Sequence, residues 1–247
     1  FLCIIYYFKN NENVFYVRKS PKSSKKYISG GNFMEYGIEK SAVRTVAELA
    51  ALAARTAPKS HGVDHFSICL ADKDEIKKIG ERMIEIGKEK EEALLKKGEK
   101  FTSKAKATAM DWHSDGECVG YSDEILLIGL NARKPVPKNC GLCGYATCAE
   151  MLQAPTVSFP AGWSGPFCAN LMVDLGIAIS SAASVLVRHH VDNRMFFKVG
   201  LAVKDLGLMP DCNCIIALAM SATGKNSYFD RPEKLQALTI QRGLNSF

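Results

Sequence analysis

The sequence predicts a layered α/β (α+β) protein, with helices packed against a sheet, and three observations carry that expectation. Two continuously apolar runs, Ile125-Leu126-Leu127-Ile128-Gly129-Leu130 and Cys214-Ile215-Ile216-Ala217-Leu218-Ala219-Met220, have the length and composition of buried strands. Longer segments around them place apolar residues at helical spacing. The composition, 47% hydrophobic and 23% charged over 247 residues, is that of a globular protein able to bury a core.

From Ile38 to Arg55 the residues Ile38, Ala42, Val43, Val46, Leu49, Ala50 and Ala53 define the inner face of a first helix. Ala57-Pro58-Lys59 ends it, because a proline pushes the residue before it out of helical geometry. A short strand over His65–Leu70 follows, and Asp72 or Asp74 can cap the next helix, whose apolar positions are Ile76, Ile79, Met83, Ile84 and Ile86. Its charged continuation, Lys88–Lys100, reads as a solvated face. Residues 105–122 show no clear period and read as irregular. Beyond the second strand, Phe167–Val191 and Phe196–Leu206 read as helices, before the last strand and a polar tail. Alternation of strands and helices gives the layered class.

Charge and cysteine content narrow the function. Residues 1–33 hold Lys9, Arg18, Lys19, Lys22, Lys25 and Lys26 against Glu12 alone, so most of the net charge of +6 sits there. The remainder is nearly neutral and offers no electrostatic footprint for nucleic acid. Composition changes at Met34, which divides the chain into a basic extension, 1–33, expected to be disordered or a gene-model artefact, and a single domain, 34–247. No uninterrupted apolar run reaches the 18 or so residues that span a bilayer; the run Gly176–Val187 is short and contains Ser180, Ser181 and Ser184. Neither a membrane nor a nucleic acid is therefore an expected partner. Nine cysteines, three of them between 140 and 148, do not read as a secreted disulfide framework, and they point to a reducing, cytoplasmic compartment.

The segment Asn139-Cys140-Gly141-Leu142-Cys143-Gly144-Tyr145-Ala146-Thr147-Cys148 gives the spacing C-x2-C-x4-C, and Cys168 follows just before a helix. Four thiolates, one per iron, are what a four-iron four-sulfur (4Fe-4S) cluster requires. Glycines after Cys140 and Cys143 let the backbone bend and bring its N–H groups towards the sulfurs. Cys140, Cys143, Cys148 and Cys168 are accordingly the expected metal ligands, within a cluster-binding segment 139–168. Two alternatives stay open: four thiolates also suit tetrahedral zinc, although zinc ribbons usually pair two C-x2-C knuckles. A redox C-x-x-C at Cys140 and Cys143 would leave Cys148 and Cys168 without a role.

Cys140-Gly141-Leu142-Cys143-Gly144, with Cys148 and Cys168, resembles the 4Fe-4S module of the corrinoid iron–sulfur protein and of electron-transport complex subunits. Further stretches resemble a family of uncharacterised proteins containing a ferredoxin domain. These are Ala53–Lys59, Asp174-Leu175-Gly176-Ile177-Ala178, Val191-Asp192-Asn193-Arg194, Ser221-Ala222-Thr223-Gly224-Lys225-Asn226 and Tyr228-Phe229-Asp230-Arg231. The resemblance spans residues 34–231 and implies a cluster without a settled reaction. The element order also looks like the nitroreductase fold, which implies a mixed sheet flanked by helices, a homodimer and bound FMN. The Arg-x-Ser-x-Arg segment of that fold is absent, and only Arg44 stands near the first helix.

Thr223, Gly224, Lys225 and Asn226 follow a strand and are the expected cofactor-binding residues, able to hold an anionic group through backbone N–H groups and Lys225. Ala219 stands where a P-loop needs its first glycine. Cys212 and Cys214 read as core cysteines on opposite strand faces, His189-His190 as a helix end, and Asp111, His113 and Asp115 as a polar patch with acid–base capacity. The expected function is that of an iron–sulfur oxidoreductase passing electrons to a flavin or a small substrate. An electron-transfer or redox-sensing module docking on a partner enzyme, and a zinc-stabilised structural protein, are its alternatives.

Overall fold

The computed structural model describes residues 37–158, 162–224 and 226–229 in full, and within residues 1–36 the backbone of four strands. The chain divides into two compact units, Phe1–Ser41 and Ala42–Phe247. In the first, β1 (Leu2–Lys9) pairs antiparallel with β2 (Glu12–Lys19), and β3 (Tyr27–Ser29) with β4 (Asn32–Met34). The side chains of residues 1–36 lie outside the described residues, as does the reading of 1–33 as an added extension.

The second unit is a three-layer sandwich whose helices cover both faces of a sheet. Its elements are α1 (Ile38–Thr56, which begins within the first unit), β5 (Ser67–Leu70), α2 (Lys73–Leu95), α3 (Thr102–Gly120), β6 (Glu124–Leu130), α4 (Cys148–Gln153), β7 (Val157–Ser158), β8 (Ser164–Gly165), α5 (Ala169–Arg188), β9 (Asp192–Phe196), α6 (Val199–Asp205) and β10 (Cys214–Ser221). Sheet order is β5-β6-β10-β9, and β7 and β8 pair apart from it. Every pairing in the four-stranded sheet is antiparallel, so the layered expectation holds while the sheet is not mixed.

The two apolar runs form the central strands because only there are both faces covered. Leu126, Ile128 and Leu130 of β6, with Ile216, Leu218 and Met220 of β10, meet Val43, Val46 and Ala50 of α1 and Leu171, Leu175 and Ala182 of α5. Ile125 and Leu127, with Ile215, Ala217 and Ala219, meet Ile76, Ile79 and Met83 of α2, Val119 of α3 and Val199 and Val203 of α6. Cys212 and Cys214 fall on opposite sides of the sheet, both buried.

α5 is, among the described residues, the helix long and apolar enough by composition to cross a membrane. Here one of its faces packs into the core of the sandwich. Asp174, within α5, is buried; both its carboxylate oxygens accept from the Ser60 N–H at 3.0 Å, and Oδ1 also accepts from the Ser60 hydroxyl at 2.9 Å. The turn after Ala57-Pro58-Lys59 is thereby tied to the helix that starts at the fourth cysteine.

Two segments depart from expectation. Residues 105–122 are mostly helix: α3 lies against α2 through small residues rather than an apolar stripe, which is why its period is hard to read. A Cβ on Gly80 would stand 2.7 Å from Gly116 O and 2.7 Å from Gly120 Cα. Second, Asp192–Phe196 is the edge strand β9, not the approach to a helix, and the following helix shortens to Val199–Asp205. Asp72 is the cap of α2, in a reciprocal pair with Glu75 at 2.8 Å in each direction.

Candidate metal centre

The cysteine segment leaves the sheet at the end of β6 and returns to it at Cys168. Gly141 (φ +76°) and Gly144 (φ +88°) adopt left-handed backbone that a side chain would strain, and the Gly144 N–H closes a turn onto Gly141 O at 2.9 Å. Asn139, also left-handed at φ +51°, clamps the loop shut. Its N–H donates to Cys148 Sγ at 3.4 Å, and its Oδ1 accepts from the Cys148 N–H at 2.9 Å. Cys148 opens α4, which Thr147 caps by accepting the Glu150 N–H at 3.2 Å, while Glu150 Oε2 accepts from the Ala146 N–H at 3.1 Å.

The fourth cysteine is positioned independently. Cys168 is the N-cap of the 20-residue α5, and its N–H donates to Ala132 O at 2.9 Å, just past β6. Pro166, after a cis Gly165–Pro166 peptide, leads into it. Arg133 ties the parts together by donating to the carbonyls of Leu152, Ala154 and Pro166. One side-chain contact joins the loop to the helix: Asn170 Nδ2 donates to Cys140 Sγ at 3.8 Å. Cys140 is exposed and the other three thiols are half-buried. Among the described residues no three His, Cys, Asp or Glu side chains converge closely enough to hold a single metal ion.

This donor set fits an iron–sulfur cluster: four thiols from one loop and one helix start, two of them already receiving N–H donors. The α5 N-terminus adds partial positive charge, which suits an anionic group. Neither the clamp Asn139 nor the donor Asn170 was expected from the sequence. The signal for Asn139 is an asparagine directly before a Cys-Gly turn, since asparagine tolerates left-handed backbone; Asn170 carries no such mark.

The expected anion loop lies elsewhere. In the β6–β10 register Cys214 pairs with Leu130 at the cysteine end and Met220 with Glu124 at the other. Six residue steps of about 3.3 Å separate those ends by roughly 20 Å. Thr223 and Gly224 are exposed at the far end, and Lys225 lies outside the described residues. Asn226 is used structurally: its Nδ2 donates to Asp192 Oδ1 at 2.9 Å and its Oδ1 accepts from the Tyr228 N–H at 3.0 Å. Arg194 donates to Tyr228 O at 3.1 Å, and the fully buried Tyr228 hydroxyl donates to Ser122 Oγ at 3.0 Å. The stretches 191–194 and 226–228 are thus one anchored corner.

Burial pushes the Tyr228 hydroxyl up to about 12, and the Cys214 thiol likewise. A buried group that stays protonated longer when folded holds its stability below its unfolded pKa and loses it as pH rises through the folded one. We expect stability to fall between pH 10 and 12, by on the order of 2 kcal/mol from the tyrosine. Urea titrations across that range should show a shallower slope for Tyr228→Phe.

The patch at Asp111 and Asp115 is an ion cluster, not an open acid–base site. Lys198 Nζ contacts Asp111 Oδ2 and Asp115 Oδ2, each at 2.6 Å, and lies 5.2 Å from the centroid of the buried Trp112 ring. His113 stands apart on the exposed face, 3.5 Å from Glu117.

Fold and site together give a layered α+β protein that carries four cysteines on one loop and one helix start. An uncharacterised protein of Archaeoglobus fulgidus is 35% identical over 200 residues, covering 81% of this chain and 97% of that protein. The model of the family described as uncharacterised proteins containing a ferredoxin domain (DUF2148) matches residues 164–231, which include Cys168 and the corner just described. This chain belongs to that family, and its ferredoxin domain ties it to iron–sulfur redox chemistry.

Proposed function

We propose that Cys140, Cys143, Cys148 and Cys168 hold one 4Fe-4S cluster and that the protein carries electrons through it. The observation that bears most weight is the preformed ligand loop: left-handed Gly141 and Gly144, the Asn139 clamp, and N–H donors aimed at Cys140 and Cys148. A single zinc would draw four sulfurs within bonds of about 2.3 Å. A cubane takes one thiolate on each of its four irons, which matches the number of cysteines on the segment. When bound, the cluster supplies one-electron reduction and oxidation. The protein's part is to hold four thiolates, donate N–H groups to their sulfurs and leave one side open for electron exchange.

Between the redox readings, electron transfer to a docked partner stands first. Leu142 within the ligand loop, Leu152 on α4 and Val157 beyond it are exposed apolar side chains on the cysteine segment, as a docking surface needs. An oxidoreductase in which the cluster feeds FMN or a small substrate is the second reading, with Thr223 and Gly224 as exposed backbone for an anionic group. A cofactor anchored there would lie a sheet's length from the cluster of the same chain. The chemistry belongs in a reducing compartment such as the cytoplasm.

Anaerobic purification followed by a visible spectrum, with iron, acid-labile sulfide, zinc and flavin assayed together, tests the reading. We expect about four iron and four sulfide per chain, lost in Cys143→Ala. A colourless protein with one zinc would overturn it, and bound flavin would move the oxidoreductase reading to the front.

A further inference from the structure

Asn170 is in the first turn of α5, two residues after Cys168, yet its carboxamide reaches the other half of the ligand set at Cys140 Sγ. At 3.8 Å the contact is within hydrogen-bonding distance for sulfur. Its surroundings give it weight. From Asn139 to Asn170 the only charged side chain is Glu150, and that carboxylate accepts the Ala146 N–H. Arg133 and Lys138 flank the segment with positive charge, and an N–H dipole aimed at a single sulfur adds a local influence on that sulfur.

We propose that the Asn170 side chain is a positioning residue that raises the reduction potential of the cluster by donating an N–H to the Cys140 sulfur. The inference rests on the cluster reading above. Adding an electron increases negative charge on the ligand sulfurs, so a donor to Cys140 stabilises the reduced form more than the oxidised one. Because the same side chain bridges loop and helix, the potential responds to how closely α5 and the loop are held together.

The test is a one-electron redox titration of the loaded protein, with dithionite as reductant and the visible spectrum as readout, on wild type, Asn170→Ala and Asn170→Ser. Both substitutions fall on a half-buried helix start, and they differ only by a hydroxyl donor. We expect both variants to keep full iron and sulfide. Poised at the wild-type midpoint, Asn170→Ala should show the reduced-to-oxidised ratio lowered several-fold, up to about tenfold (~59 mV for one electron). Asn170→Ser should recover part of the difference. An alanine variant on the wild-type midpoint, or a serine variant shifted as far as alanine, overturns the proposal. Loss of the cluster from both variants, with the fold intact, makes Asn170 a retention residue and overturns it too. A wild-type protein that takes up no cluster defeats the cluster reading itself, and iron analysis tells that outcome apart before any titration.

Discussion

Replacing Lys198 with alanine is expected to destabilise the fold by about 3–5 kcal/mol, because it removes the ammonium that two buried carboxylates contact. Asp111 and Asp115 are 8% and 3% exposed, and each has an oxygen 2.6 Å from Lys198 Nζ. Their desolvation is offset by that central charge; without it two like charges face each other in a low-dielectric layer between α3 and α6. Lys198→Met alone should fall in the same range. The combined variant Lys198→Met, Asp111→Leu, Asp115→Leu should recover most of the loss, since an apolar replacement of similar volume removes the desolvation cost altogether. Urea denaturation followed by circular dichroism measures all three. A single variant within 1 kcal/mol of wild type would mean that water reaches the cluster of charges.

Gly80→Val should cost about 2–3 kcal/mol, at the upper end of overpacking penalties, because the obstacle is backbone. The new Cβ would sit 2.7 Å from both Gly116 O and Gly120 Cα, where no rotamer change gives relief, so α2 and α3 must separate. Gly176 supplies the control. It too lies inside a helix, but nothing stands within 4 Å of its Cβ position. Gly176→Ala should therefore stabilise by roughly 0.5–1 kcal/mol through helix propensity alone. Opposite signs in thermal or urea unfolding separate close packing from intrinsic preference. Equal losses at both positions would show that the α2–α3 contact is not the cause.

The proposed cluster site and the anchored corner occupy different parts of the molecule. The ligand loop, the start of α5 and Arg133 sit at one end of β6 and β10, while the corner built from Asp192, Arg194, Asn226 and Tyr228 closes the other. The stretches Ala57-Pro58-Lys59 and Asp174 resemble the family's and also meet in space, through Ser60. That contact orients α5, and with it Cys168.

What could be read without coordinates was local chemistry. The C-x2-C-x4-C spacing with a later cysteine suggests a thiolate site, because ligand type and tight spacing are carried by neighbouring residues. β6 and β10 were legible because burial on both faces demands continuous apolar residues, and α1, α2 and α5 because one-sided burial imposes a 3.6-residue period. Strand direction was not legible: an apolar run reports that both faces are covered, not which way its neighbour runs. α3 escaped because its packing surface is glycine and alanine, whose burial leaves no hydrophobic stripe. Asp111 and Asp115 read as a patch open to acid–base chemistry until Lys198, 87 residues beyond Asp111, was seen to fill it. The Thr223–Asn226 loop and the cysteine loop read as two binding segments, and a sequence carries no distance between them. Only the antiparallel register of β6 and β10 placed them at opposite ends of the sheet, and only the packing of α5 brought Asn170 to the Cys140 sulfur. Pairing and packing over long separations are decided by the whole chain's burial, which no local stretch of residues encodes.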